Sequence, residues 1–415
     1  MNHRCDLQLE KPSGIYYAGE TVNGCIYLTL PERALIRAIA LESNGFACSA
    51  WLQPQQKKKK QPKVPKPPLS YEQRVDYFAK VDYFLGSESS LPQLLDAGCY
   101  RYDFSVQLPA NCPSSYEGAN GHIRYTLKLL LHSSTDRPVE VVLNRQLQVQ
   151  PRSEDSSAPD LGACEAQAVE PTPALKFWRK PLRLHLDIPR AGYEPGTGIS
   201  VHVRLQNLQE LPLSMLTYKL NQMTTYVARQ KDKAKRSEFK VERRQLLSSS
   251  HQLQSVPHGE LQNFQHLYTL QVPITPPTLS STACACLQLS YEVEVIVQTK
   301  HKKRFIMAHI PIIISNAPHI LQCVKQDGGI HSSHFDLAAM SPTQTPERLA
   351  TTSALAATNL SASMSSLASS FREAEFMAIT NLNKKDKHAM SGEQLDFRPR
   401  YLYYEIEHAD TEKVL

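Results

Sequence analysis

Cysteine, histidine and carboxylate side chains carry nucleophilic, metal-binding and acid–base chemistry, and in this sequence they are scattered. The nine cysteines are odd in number and irregular in spacing, which does not describe a disulfide framework. Cys284 and Cys286 stand two apart at what reads as a strand start, with no second pair to complete a zinc spacing. Of the fifteen histidines, His331 and His334 lie close together, but two ligands do not make a metal site. His122 beside Gly121 reads as a turn histidine, and Glu292 and Glu294 as solvated groups on one strand face. There is no G-x-S-x-G elbow, P-loop, H-E-x-x-H or dinucleotide fingerprint. No catalytic residue, metal or cofactor is expected, so the chain reads as a binding protein and not as an enzyme.

Charge points to where binding could occur. Formal net charge is +6, and the cations concentrate in residues 57–66, 229–244 and 300–304, each between strand-like segments. Lys57, Lys58, Lys59, Lys60, Lys63 and Lys66 are interleaved with prolines, an extended segment that cannot collapse into a core. Two readings stand for it: a contact with an anionic membrane or other anionic partner, and a solubilising insertion. Nothing suggests nucleic acid.

The elements that position these groups are strands. In residues 98–132, Tyr100, Tyr102, Phe104, Val106 and Leu108 alternate with polar residues up to Pro109. A loop with Pro113 and Gly118 leads to Ile123, Tyr125, Leu127, Leu129 and Leu131, again alternating. Residues 266–298 repeat the design, with Pro273 and Tyr291 spaced almost as Pro109 and Tyr125 are. A second pair recurs in the same order: residues 13–30 and 191–205, with Gly19 and Gly196 each just ahead of a strand. Two segments recurring in order imply two copies of one domain.

A length of 415 residues suits two or three domains, and 41% hydrophobic with 21% charged residues is an ordinary soluble composition. No run is long enough to span a bilayer and the N-terminus lacks a signal-peptide core. The expected organisation is all-β. A first sandwich covers residues 1–150, with a Lys/Pro-rich loop at 53–68, and an acidic, serine-rich linker covers 151–175. A second sandwich covers 176–316, and a largely disordered tail 317–415. Within the tail, Leu360, Met364, Leu367 and Phe371 have helical spacing, Ser341 and Thr345 precede prolines and suit proline-directed phosphorylation, and residues 397–408 are unusually aromatic.

These residues carry a family resemblance. Gly19-x-x-Val22-x-Gly24, Leu108-Pro109, Pro113-Ser114-Ser115-Tyr116-Glu117-Gly118 with Gly121-x-Ile123-Arg124-Tyr125, Gly192-Tyr193-x-Pro195-Gly196, Pro276-Pro277 and Ile310-Pro311-Ile312 resemble the arrestin-domain-containing proteins, or α-arrestins. The resemblance covers residues 1 to about 316 and implies two tandem immunoglobulin-like arrestin β-sandwich domains. It further implies a cytoplasmic adaptor, peripheral at plasma membrane and endosomes, that engages membrane receptors or transporters as cargo for endocytosis. In that family the tail recruits WW-domain HECT ubiquitin ligases through P-P-x-Y. Here residues 67–71 have one residue too many, and Phe397, Pro399 and Tyr401 keep only half of the pattern. Either departure weakens WW recognition, which reads tyrosine at fixed phase on polyproline II. Two alternatives share the fold: a retromer-type sorting subunit, and a phosphoreceptor-binding arrestin of sensory transduction.

Overall fold

A computed structural model describes residues 3–54, 67–133, 138–152, 164–169, 182–208, 211–230, 233–253, 262–300, 305–315, 371–378 and 397–406. These form two tandem β-sandwiches, with no α-helix among them. Among the described residues no helix is long and apolar enough to cross a membrane.

In the first sandwich one layer is β1 (Arg4–Leu9), β3 (Thr21–Leu30) and β8 (Gly98–Gln107), in the order β1-β3-β8. The other layer contains β2 (Ile15–Tyr17), β5 (Ala38–Gln53), β6 (Leu69–Gly86), β10 (Gly121–His132) and β11 (Glu140–Gln150), in the order β6-β5-β10-β11-β2. A short β9 (Tyr116–Gly118) pairs with β10, and β4 (Ala34–Ile36) with β7 (Gln93–Leu95). Alternation makes the layers: Ile26, Leu28, Phe104, Val106, Ile123, Leu127 and Leu129 are all buried between them. Each such burial contributes about 1.5–3 kcal/mol.

The second sandwich repeats the plan. One layer is β12 (Cys164–Val169), β13 (Arg183–Ile188), β15 (Gly198–Gln206) and β18 (Asn263–Gln271). The facing layer is β14 (Gly192–Tyr193), β20 (Phe305–Ile314), β19 (Leu287–Thr299), β16 (Leu213–Gln230) and β17 (Lys233–Gln252). The duplication extends to hydrogen bonds. Tyr125 Oη donates to the Pro113 carbonyl at 2.7 Å, and Tyr291 Oη to the Pro276 carbonyl at 2.6 Å. In both sandwiches a buried tyrosine thus ties its strand to the proline-bearing loop before it. Gly19 and Gly196 both have positive φ, 80° and 94°, as they turn the chain into β3 and β15.

Three sequence expectations about secondary structure need correction. Residues 151–175 are not linker throughout, because β12 pairs with β13 along its whole length. Cys164, Ala166 and Ala168 pack on the second core, but such small side chains give a weak alternation in an acidic stretch. His122 is not in a turn: it lies in β10, buried, its ring edge-on to Phe46 with the centroids 5.7 Å apart. Phe371 does not continue a helix but opens a strand, β21 (Phe371–Ala378), which pairs with β22 (Arg400–Ile406).

Candidate functional site: the seam between the sandwiches

The large sheet runs through both domains. Arg229 and Gln230 at the end of β16 pair with Glu72 and Tyr71 at the start of β6, which joins the two halves edge to edge. Around that junction each domain places a loop into the other.

From the first domain comes the segment with the densest turn chemistry, residues 113–121. Ser115 Oγ accepts from Val149 N at 2.9 Å, and Ser115 N donates to the Val149 carbonyl at 2.9 Å, pinning the loop to β11. Tyr116 is thereby turned towards the second domain, its hydroxyl 3.3 Å from Thr224 Oγ1. Glu117 turns inward and receives both arms of Arg124, Nε at 2.6 Å and Nη2 at 3.0 Å. The two side chains are 3% and 7% exposed, so the pair is a buried bidentate bridge, the geometry in which a charged pair survives desolvation. Burial raises the Glu117 carboxyl above its usual range, opposed by the hydrogen bonds and charge of Arg124. Next to it, burial and the charges of Arg124 and Arg74 hold the His122 imidazole down to about 3, so it is neutral. Asn120 at the loop's tip accepts from Lys240 Nζ at 2.6 Å and donates to Glu242 Oε1, clamping β17. A Cβ at Gly121 would sit 2.6 Å from the Cys48 carbonyl and 3.0 Å from the Tyr226 ring. Glycine there lets the two backbones meet.

From the second domain comes the loop between β18 and β19. Leu279, Cys284, Cys286 and Leu287 belong to the first domain's apolar core. Tyr77 Oη donates to the Ala283 carbonyl at 3.2 Å, and Val227 N to the Cys286 carbonyl at 2.8 Å. A cleft of about 440 Å³ stays open beside this plug, lined by Asn111, Pro113, Pro276, Pro277, Thr282 and Ala283 among others.

The third component is the chain's own β22 segment, which lies across the seam. Gln148 Oε1 accepts from Arg400 N at 2.9 Å, and Gln150 Nε2 donates to the Arg400 carbonyl at 2.8 Å. Tyr401 is 1% exposed and donates to the Ser115 carbonyl at 2.9 Å. Burial pushes its phenol well above the usual range, keeping it a donor. Three residues on, Tyr404 N donates to the Pro195 carbonyl of the second domain at 3.0 Å. A Cβ at Gly196 would meet the Tyr404 carbonyl at 1.8 Å.

Of the sequence-selected groups, Phe397 is half-buried, Pro399 buried and Tyr401 bolted into the seam. Lys57, Lys58, Lys59, Lys60, Lys63 and Lys66 lie outside the described residues, between β5 and β6, and so do Ser341 and Thr345, His331 and His334. Glu292 and Glu294 are not solvated: Arg243 bridges both, reaching Glu294 at 3.0 Å, and Lys219 stands 3.9 Å from Glu294. Among the described residues no group of three or more His, Cys, Asp or Glu is placed to hold a metal. Sequence reasoning missed Gln148, Gln150 and Tyr404. Only the aromatic density of residues 397–408 hinted at a docked segment.

Comparison with known proteins agrees with this architecture. Residues 5–152 match the arrestin (or S-antigen) N-terminal domain and residues 178–319 the arrestin (or S-antigen) C-terminal domain. The chain is 27% identical over 322 residues to arrestin domain-containing protein 17 of Caenorhabditis elegans, covering 77% of this chain and 72% of that one. It is 26% identical over 322 residues to arrestin domain-containing protein 4 of Homo sapiens, covering 75% and 70%, and 25% identical over 314 residues to its Mus musculus counterpart, covering 75% and 71%. With both domain matches in order on two tandem sandwiches, the chain belongs to the arrestin family, among the arrestin domain-containing proteins.

Proposed function

We propose that the chain is a non-enzymatic adaptor in the trafficking of membrane receptors or transporters, linking cargo to endocytosis and ubiquitin-dependent sorting at the plasma membrane and endosomes. The observation that carries this reading is the seating of residues 399–404 across both sandwiches. Pro399 and Tyr401, the half-motif for a WW-domain ligase, are both buried at the seam. Docking on the body and presentation to a ligase are therefore mutually exclusive for this segment. A ligase meets it only when the seam lets go, and cargo engaging the seam supplies a reason for release.

The test is co-purification of the tagged full chain from cells. A receptor or transporter recovered together with a WW-domain HECT ligase supports the reading. A stable heterotrimer lacking any ligase, or recovery of phosphorylated receptor alone, overturns it in favour of a sorting subunit or a signalling arrestin respectively.

A further inference from the structure

The plug loop holds two thiols together. In an extended strand, residues two apart are separated by about 6.6 Å. Here the chain bends at Ala285, and Cys284 Sγ and Cys286 Sγ approach to 3.7 Å. Both sulfurs face inward, fully buried, while Ala283 and Ala285 on alternate positions are exposed. The pair thus lies one residue beneath the surface, and Ala283 itself lines the open cleft.

We infer that Cys284 and Cys286 are an oxidisable dithiol built into the domain seam, closed to an intraloop disulfide by a hydroperoxide. Formation needs the sulfurs to move from 3.7 Å to about 2.05 Å, a side-chain rotation about a loop that is already bent. The surroundings assign the roles. Cys286 beside it, the neighbouring Tyr77 hydroxyl and the backbone N–H groups of Cys286 and Leu287 favour a Cys284 thiolate and lower its pKa against the opposing effect of burial. The Cys286 thiol, 3.7 Å away, is held up by Cys284 and by burial. Burial pushes the Cys112 thiol up to about 11 despite the hydrogen bond of Tyr125, and burial with the Asp6 charge does the same to Cys5. Cys284 is accordingly the attacking thiolate. It takes the distal oxygen of hydrogen peroxide, the O–O bond breaks and water leaves with the thiol's proton, giving a sulfenic acid. Cys286 sulfur then attacks Cys284 sulfur and expels the second water. The balance is two thiols and one peroxide to one disulfide and two waters.

The location gives the reaction a consequence. The Cys286 carbonyl accepts from Val227 N, and Tyr77 is bonded to Ala283, so the bonds that dock the plug flank the two sulfurs. Oxidation alters the loop through which the second sandwich enters the first domain's core.

The experiment treats the folded full chain with hydrogen peroxide, then denatures, alkylates and maps it by mass. The expected result is a loss of two alkylatable thiols within the single tryptic peptide that holds both cysteines, two hydrogens lighter and restored by dithiothreitol. It should precede modification of buried Cys112. Cys286→Ser should trap a dimedone-reactive sulfenic acid on Cys284, and Cys284→Ser should leave Cys286 unreacted. Both cysteines remaining alkylatable, cross-links to exposed Cys99 instead, or oxidation no faster than that of Cys112 would overturn the inference. If a variant does not fold, the wild-type peptide map decides alone.

Discussion

Tyr401 Oη donates to the Ser115 carbonyl at 2.9 Å across 286 residues of sequence. Ser115 is held by β11 and leads into β9 at the seam, so one phenol ties β22 to the loop that enters the seam. Tyr401→Ala removes a buried aromatic, worth about 3–5 kcal/mol in a core. Because β22 pairs with β21 in a separate two-stranded sheet and not in either sandwich, the loss should appear as local release and not as global unfolding. Amide exchange should rise across residues 397–406 while the cores keep their protection. Tyr401→Phe keeps the shape and leaves the Ser115 carbonyl only the longer bond from Ser114 Oγ, a smaller effect of about 0.5–1.5 kcal/mol. Equal exchange in all three proteins would contradict the docking.

Gly196 supplies a second handle on the same segment. Its φ of +94° and the 1.8 Å approach of the Tyr404 carbonyl leave no room for a side chain. Gly196→Ala should therefore free residues 397–406, with about 1–2 kcal/mol of added backbone strain in the turn. A WW domain titrated into this variant should bind more tightly than to wild type and no more tightly than to the isolated 397–406 peptide. Unchanged affinity would separate docking from ligase access.

Much of the fold was legible because alternation is a direct consequence of two-layer packing. Ile123, Tyr125, Leu127, Leu129 and Leu131 alternate in the sequence and are all buried. The duplicated proline–tyrosine interval marked a real shared bond, Tyr125 to Pro113 and Tyr291 to Pro276. What stayed hidden depended on partners distant in sequence. Glu294 resembles any strand-face glutamate until β16 and β17 bring Lys219 and Arg243 to it. Gln148 and Gln150 are ordinary strand residues until Arg400 arrives between them. In β12, alanine and cysteine replace larger apolar residues, so the hydrophobic signal falls although the pairing remains.

The Glu117–Arg124 bridge should obey the asymmetry of buried ion pairs. Glu117→Gln leaves a 7% exposed guanidinium without its counter-ion, a loss of about 3–5 kcal/mol. Adding Arg124→Met removes the stranded charge and should recover part of that stability. Urea denaturation of the two singles and the double measures the coupling. A double variant less stable than Glu117→Gln alone would show that the pair also does something beyond neutralising itself.

His122 makes stability depend on pH. Its folded pKa, about 3, lies below the unfolded value of about 6.5. The unfolded chain therefore binds the proton first, and the stabilisation present above about pH 6.5 is lost as pH falls towards 3. Between about pH 7 and about pH 5 the loss from this one group is about 2 kcal/mol. His122→Asn should start less stable at neutral pH and show a shallower decline over that window. Parallel declines would assign the acid sensitivity to other groups.

The lysine-rich connection is the place to look for membrane contact. It joins β5 to β6 beyond the Trp51–Tyr71 stack, whose rings are 5.3 Å apart, and β6 begins where the two sandwiches share a sheet. A cationic segment rooted there brings the seam to whatever surface the lysines touch. Near an anionic leaflet each lysine contributes about 1 kcal/mol, and the attraction falls off over a Debye length of about 10 Å at 0.1 M salt. Several lysines acting together give weak binding that salt reverses. Liposome co-sedimentation should find the full chain on anionic vesicles at low salt, in the supernatant at high salt, and off zwitterionic vesicles throughout. Replacing Lys57, Lys58, Lys59 and Lys60 with glutamine removes four of six local charges and should abolish most of the binding. Binding that survives this change, or that ignores salt, would leave the segment a solubilising insertion and place any membrane contact elsewhere on the body.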